Sequence, residues 1–224
     1  MNKRVFGSLE LIFDALYLAL ALVVGIYLLS RAAGTAQKLA GAMALTLALG
    51  DAFHLVPRML AAATGAQARF ERAMGVGKFV TSIGMTAFYL MLLEVGVRLL
   101  VPAASAALAP TAPIVGAAYA LAAVRVALCL FPQNRWLDAE PPLRWGVWRN
   151  IPFLLLGALV AAFYFVYAAA VPPLGWMWLA IVLSFAFYLP VVLWVHKNRR
   201  LGMLMLPKTC AYMWMLFMCV RAFS

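Results

Sequence analysis

The chain has 224 residues, of which 67% are hydrophobic and 11% charged, and its mean hydropathy is +0.97. A water-soluble domain of this size has no use for so much apolar surface, and the ~10-residue alternating segments of an outer-membrane barrel are absent. The net charge of +11 would by itself suit a nucleic-acid binder, but where the charges fall points to a membrane.

A spanning helix takes about 20 apolar residues. Seven stretches qualify, at roughly 6–30, 36–56, 77–100, 112–131, 148–171, 174–196 and 202–221. They predict an all-α integral membrane bundle of seven helices forming one domain over residues 1–224. The first stretch is too long for a signal peptide and is read as a retained helix. With the N-terminus in the cytoplasm and the C-terminus outside, Lys3, Arg4, Arg58, Arg69, Arg72, Lys78, Arg135, Arg144, Arg149, Lys197, Arg199 and Arg200 lie on the cytoplasmic side. Only Arg31, Lys38, Arg98 and Arg221 lie on the other. That asymmetry follows the positive-inside rule, and contact with anionic headgroups accounts for the charge. The expected setting is the inner (cytoplasmic) membrane, and the expected partners are membrane lipids rather than nucleic acid.

In chain order, the first helix carries Glu10 and Asp14 four apart, with Tyr17 continuing the stripe. The second ends in Gly50-Asp51-Ala52-Phe53-His54-Leu55-Val56-Pro57-Arg58. Asp51 and His54 are three apart, and His54 and Arg58 four apart, so all three share one helical face. Pro57 is expected to end or kink this helix. Residues 59–76 read as a cytoplasmic connection, either a short amphipathic helix through Arg69, Phe70 and Arg72 along the membrane surface or a solvated loop. The third helix carries Lys78, Thr81, Ser82, Met85 and Tyr89 on one stripe, and Glu94 and Arg98 as a structural pair. Arg125 in the fourth either snorkels to the interface or turns inward to a carboxylate. A polar, turn-rich loop follows Phe131, with Trp136, Trp145 and Trp148 as interfacial anchors. Asn150 opens the fifth helix. Ser184, Tyr188 and His196 lie on the sixth, and Lys208 lies on the seventh with Tyr212 four residues on. Cys129, Cys210 and Cys219 have no metal-ligand spacing and read as structural thiols.

Alternate helices reverse direction. Late positions on even helices (Asp51, His54, Arg125, His196) therefore meet early positions on odd ones (Asp14, Lys78, Asn150, Lys208). A carboxylate at the centre of a spanning helix costs about 2.5–3.5 kcal/mol, so such groups face the bundle interior or a wet cavity. The pattern predicts a polar cavity opening to the cytoplasmic side. Asp51 is its acid–base candidate, with His54 as partner. Asp14, Arg58, Lys78, Arg125, Asn150, His196 and Lys208 are candidate substrate-binding residues, the cations suiting an anionic headgroup. Asp51, His54 and His196 would also make an adequate metal set, and Lys208 a Schiff-base site for retinal. Neither has supporting spacing or flanking residues, and no metal or cofactor is expected.

Leu49-Gly50-Asp51-Ala52 with Leu55-Val56-Pro57-Arg58, followed by Gly75-Val76-Gly77-Lys78-Phe79 running on to Tyr89, resembles the lysoplasmalogenase-like family of bacterial membrane proteins over about residues 47–92. The resemblance implies a multi-helix bundle that cleaves the vinyl-ether bond of lysoplasmalogens, with Asp51 as a catalytic acid. That family has eight helices and a second acid late in the chain, whereas seven are counted here and the last three contain no Asp or Glu. The reading is therefore a lipid-directed hydrolase, or else a transporter or receptor that binds an anionic small molecule in the same cavity.

Overall fold

The computed structural model describes residues 3–104, 110–138, 141–195 and 197–224, leaving aside the side chains of 3–10, 199 and 200. The described residues form seven α-helices, three short 3-10 turns and no strand: α1 Lys3–Ser30, α2 Thr35–Thr64, α3 Gln67–Ala103, α4 Thr111–Leu130, α5 Leu143–Val166, α6 Met177–Trp194 and α7 Met205–Phe223. Seven helical segments are long and apolar enough to cross a membrane, the sixth and seventh including the turns that precede α6 and α7. Each helix packs on the next, α1 closes the ring against α7, and α3 also reaches α5 across the interior. Large apolar side chains remain exposed around the ring, among them Ile12, Leu16 and Val23 on α1, Leu155 and Phe165 on α5 and Phe217 on α7. An apolar belt of this extent is compatible with a multi-pass membrane protein.

The core is aromatic. Phe88 meets Tyr89 and Tyr212 edge-on at ring separations of 5.4 and 5.6 Å, and Tyr89 meets Phe153 and Phe185 at 5.3 and 5.4 Å. Edge-to-face rings at this distance add about 0.5–1.5 kcal/mol per pair beyond the area they bury. Tyr164 ties α5 to α3 by donating to the Leu92 carbonyl at 2.8 Å. Glu94 and Arg98 form the expected pair at 3.5 Å, and the Tyr119 hydroxyl also donates to Glu94.

The main departure from the sequence expectation lies between α2 and α3. Residues 59–76 are almost entirely helical: α2 runs through Pro57 to Thr64, Gly65 turns the chain at φ +70°, and α3 begins at Gln67. With 30 and 37 residues, the two helices are about 45 and 55 Å long, against a hydrocarbon core of about 30 Å. Pro57 neither ends the helix nor breaks it, and the reason is visible in α3. Proline has no N–H to offer the Phe53 carbonyl one turn back. Gly77 packs directly against that carbonyl and against the Cα of His54. A neighbouring backbone at such range lets an apolar bundle tolerate the freed carbonyl. Gly50 and Gly84 keep the helices close further along, and Thr81 Oγ1 donates to the Gly50 carbonyl at 2.8 Å.

The other boundaries shift less. Residues 167–170 form turns rather than the end of α5, just before Pro172-Pro173, and Leu201 lies in a 3-10 turn before α7. The loop after α4 is packed. Asn134 is fully buried and donates to the Leu128 and Phe131 carbonyls at 2.6 and 2.9 Å, capping α4. Trp136 was expected as an interfacial anchor. It instead lies edge-on to Phe79 at 5.7 Å and donates its indole N–H to the Cys129 carbonyl.

The α2–α3 contact yields a stability prediction. A Cβ on Gly77 would sit 2.6 Å from His54 Cα and against the Phe53 carbonyl, both backbone groups that cannot rotate aside. Gly77→Ala is expected to destabilise the fold by about 1–3 kcal/mol, the usual range for overpacking. Gly116→Ala, on an open helix face, should be neutral or stabilising by up to ~1 kcal/mol. Thermal unfolding of both variants in one detergent checks the contrast.

Candidate functional site

All seven helices contribute a polar side chain to one connected interior cluster: Tyr17, Asp51, Tyr89, Arg125, Asn150, Tyr188 and Lys208. The centre is Asp51, about halfway along α2. The Tyr17 hydroxyl of α1 donates to its Oδ2 at 2.7 Å. Lys208 of α7 stands within electrostatic reach of the same carboxylate. Asp14, buried one turn before Tyr17, adds its charge to the field at that hydroxyl. The helices that close the ring, α1, α2 and α7, thus meet at one carboxylate.

Lys208 is 7% exposed, and its ammonium lies over the rings of Tyr188 and Tyr212 at 4.9 and 5.1 Å. Cation–π contacts of this kind offset part of the cost of burying the charge. Tyr188 donates to Asn150 Oδ1 at 2.9 Å, and Asn150 Nδ2 donates to the Gly146 carbonyl at 2.8 Å. Tyr212 in turn hydrogen-bonds Tyr89, whose hydroxyl is 3.0 Å from that of Ser184.

Of the two alternatives for Arg125, the structure takes the inward one without the expected carboxylate partner. Arg125 is 2% exposed, and its guanidinium carbon lies 3.3 Å from the centre of the Phe153 ring. The side chain of Cys129 is a hydrogen-bond partner, while Nε and Nη1 have none.

His54 and Asp51 go separate ways. His54 is half-buried, leans on the backbone of Met74 in α3, has no partner at Nδ1 and feels the charges of Lys78, Arg58 and Lys208. No hydrogen bond joins it to Asp51. Three residues turn a helix through about 300°, enough to send one side chain toward α1 and α7 and the other toward α3. Lys78 is half-buried near Arg149. Arg58 belongs to the same field. His196 lies outside the described residues. Among the described residues, no group of three His, Cys, Asp or Glu side chains is placed to hold a metal ion, and the metal alternative includes His196.

The sequence reading left several members out of the site. Tyr17, Tyr188 and Tyr212 fall on the predicted stripes but carry no charge to draw attention. Arg149 was counted only among the cytoplasmic-side charges. It donates to Asn134 Oδ1 at 2.8 Å and stacks over Trp136 at 4.1 Å. Phe153, the platform under Arg125, carries no local signal at all.

Among the clefts of the described residues, two are apolar grooves along α2 and α3, the second also lined by Val126 and Leu130 of α4. One, of about 470 Å³, is lined by Ala52, Phe53, Val56, Pro57, Ala73 and Val76. The other, of about 590 Å³, runs on from Phe53 to Gly50, Phe79 and Gly84. Asp51, Lys208 and Arg125 line neither, so neither groove is the polar cavity expected from the sequence.

The Tyr17–Asp51 contact can be weighed directly. Tyr17→Phe and Asp51→Asn are each expected to lower stability, and their double-mutant cycle should return a coupling of about 0.6–1.7 kcal/mol, the range found for hydrogen bonds between membrane helices. Unfolding of the four proteins in one detergent measures it, and strict additivity would show that the contact carries no energy.

No protein-family model, curated protein or solved structure matches this chain. Its function is read from its own side chains.

Proposed function

We propose that the chain is a multi-pass protein of the cytoplasmic membrane that acts on a lysolipid or lipid with an anionic headgroup, and that Asp51 is its acid–base group. The observation that carries this reading is the Asp51 carboxylate, held at 2.7 Å by Tyr17 and faced by Lys208. A carboxyl group fixed by a hydroxyl on one side and an ammonium on the other keeps one orientation. Fixed orientation is what proton delivery to an ether oxygen or carbon, and proton removal from water, require. Lys78, Arg58 and Lys208 supply the positive field for a phosphate. The apolar grooves along Phe53, on the same stretch of α2, offer room for an acyl chain. The lysoplasmalogenase-like stretch over residues 47–92 adds vinyl-ether lysolipids to the substrates to be tried first.

A second reading is supported by one observation: cations outnumber carboxylates in this interior, and Arg125 has no carboxylate partner. A carrier or receptor for a small anion needs that excess and needs no acid–base group. Turnover separates the two, because an enzyme changes its ligand and a carrier returns it intact.

The purified protein should convert at least one member of a lysolipid panel that includes vinyl-ether lysolipids, with products followed by mass spectrometry. Asp51→Asn should lower that rate by about 10²–10⁴-fold, the range for losing a general acid or base, while the variant still elutes as folded protein. Turnover that survives in Asp51→Asn removes Asp51 from the chemistry. An absence of turnover across the panel, with an anionic molecule released intact, favours the carrier.

A further inference from the structure

Arg125 is the most deeply buried charge in the described structure, at 2% exposure, and its surroundings leave it incomplete. An ionised group removed from water costs several kcal/mol unless it is paired and hydrogen-bonded. A cation–π contact returns about 2 kcal/mol when desolvated, and Phe153 supplies one at 3.3 Å. The Cys129 thiol is a weak acceptor. Nε and Nη1 keep their protons without any acceptor. Lys208 is a second cation in the same field, and it repels Arg125. Asp51 is engaged with Tyr17 and Lys208.

We infer that Arg125 and Lys208 are two walls of an interior oxyanion site, and that the group they hold is a phosphate. An anion between them would give Arg125 the acceptors it lacks and would turn the repulsion between two cations into shared attraction. Arginine and lysine together suit a tetrahedral oxyanion, the first through its planar fork of donors and the second as a point charge. Tyr188 links the two: its ring faces the Lys208 ammonium and lies 6.0 Å from the Phe153 ring that carries Arg125, and its hydroxyl is fixed by Asn150. The phosphate comes either from a lipid headgroup or from free inorganic phosphate.

This site deepens the lipid-directed reading by naming the group held, and it rests on that reading for its lipid source. Binding is measured without turnover, so a failure of catalysis and a failure of binding are separate results.

The test uses the full chain in a non-ionic detergent at constant ionic strength. Thermal unfolding is followed against inorganic phosphate, a lysophosphatidic acid and the uncharged monoacylglycerol of the same chain length. A ligand that binds only the folded state raises its melting temperature with concentration. Either phosphate-bearing probe is expected to raise it, and the monoacylglycerol is not. A shift with inorganic phosphate assigns the site to a free anion. A shift with lysophosphatidic acid alone assigns it to a lipid headgroup. Arg125→Gln and Lys208→Gln should each weaken binding at least about tenfold, the worth of one charge-assisted contact, and Arg125→Lys should recover part of it. Lys208→Gln and the wild-type titration decide the matter if Arg125→Gln does not fold. No shift with either phosphate probe, an equal shift with the monoacylglycerol, or unchanged affinity in Lys208→Gln overturns the site and leaves Arg125 a structural cation seated on Phe153.

Discussion

Everything in this bundle depends on one carboxylate in an apolar interior. Asp51 is reached by a hydroxyl from α1 and by the charge of an ammonium from α7, the two helices that must meet for the ring to close. Apolar helices immersed in an apolar medium gain little from mutual burial, so packing and polar contacts decide which helices are neighbours. A carboxylate that is satisfied only when first and last helices stand together gives the ring its closure. The aromatic core on the far side of this layer then fills the volume that closure defines.

The contact between α2 and α3 turns Asp51 inward. Pro57 takes one donor from the helix, and Gly77 brings a second backbone to the freed carbonyl. A larger residue at 77 would push α3 away from the turn that carries Phe53 and His54. The glycines at 50, 77 and 84 therefore do more than allow close packing. They fix the rotation of α2, and with it which side chains look into the ring and which look out.

Much of this was legible in the sequence. The seven apolar stretches and their alternation put Asp14, Asp51, His54, Lys78, Arg125, Asn150, His196 and Lys208 in one half of the bundle, because a spanning helix has a set length and direction, and Asp51 and Lys208 do meet. The hidden parts were those decided by contacts distant in sequence. A proline in an apolar run reads as a helix end until a glycine on another helix is known to face it, so residues 59–76 read as a connection. Asp51 and His54 share a broad face, yet the offset between them suffices to give them different neighbours. The fate of Arg125 could not be read from its spacing, since snorkelling and turning inward need the same position. Phe153, from another helix, decides it. The loop holding Asn134 and Trp136 looked like a solvated turn because its composition is polar, and Asn134 spends that polarity on the end of α4.

The charges of this chain divide into two kinds that the net figure of +11 merges. Arg69 and Arg72 are exposed on the α2–α3 hairpin, where a cation meets water or anionic headgroups at little cost. Arg125 and Lys208 are almost wholly enclosed, and neither contact explains them. A cation kept for topology belongs at the interface, since each residue moved to the bilayer centre costs about 2.5–3.5 kcal/mol. Lys208 recovers that cost from Asp51 and two tyrosine rings. Arg125 has an aromatic face and a thiol, and neither matches a full charge. Two donors of Arg125 are therefore left without an acceptor. An anion seated between Arg125 and Lys208 would give those donors acceptors while Lys208 stays within reach of Asp51.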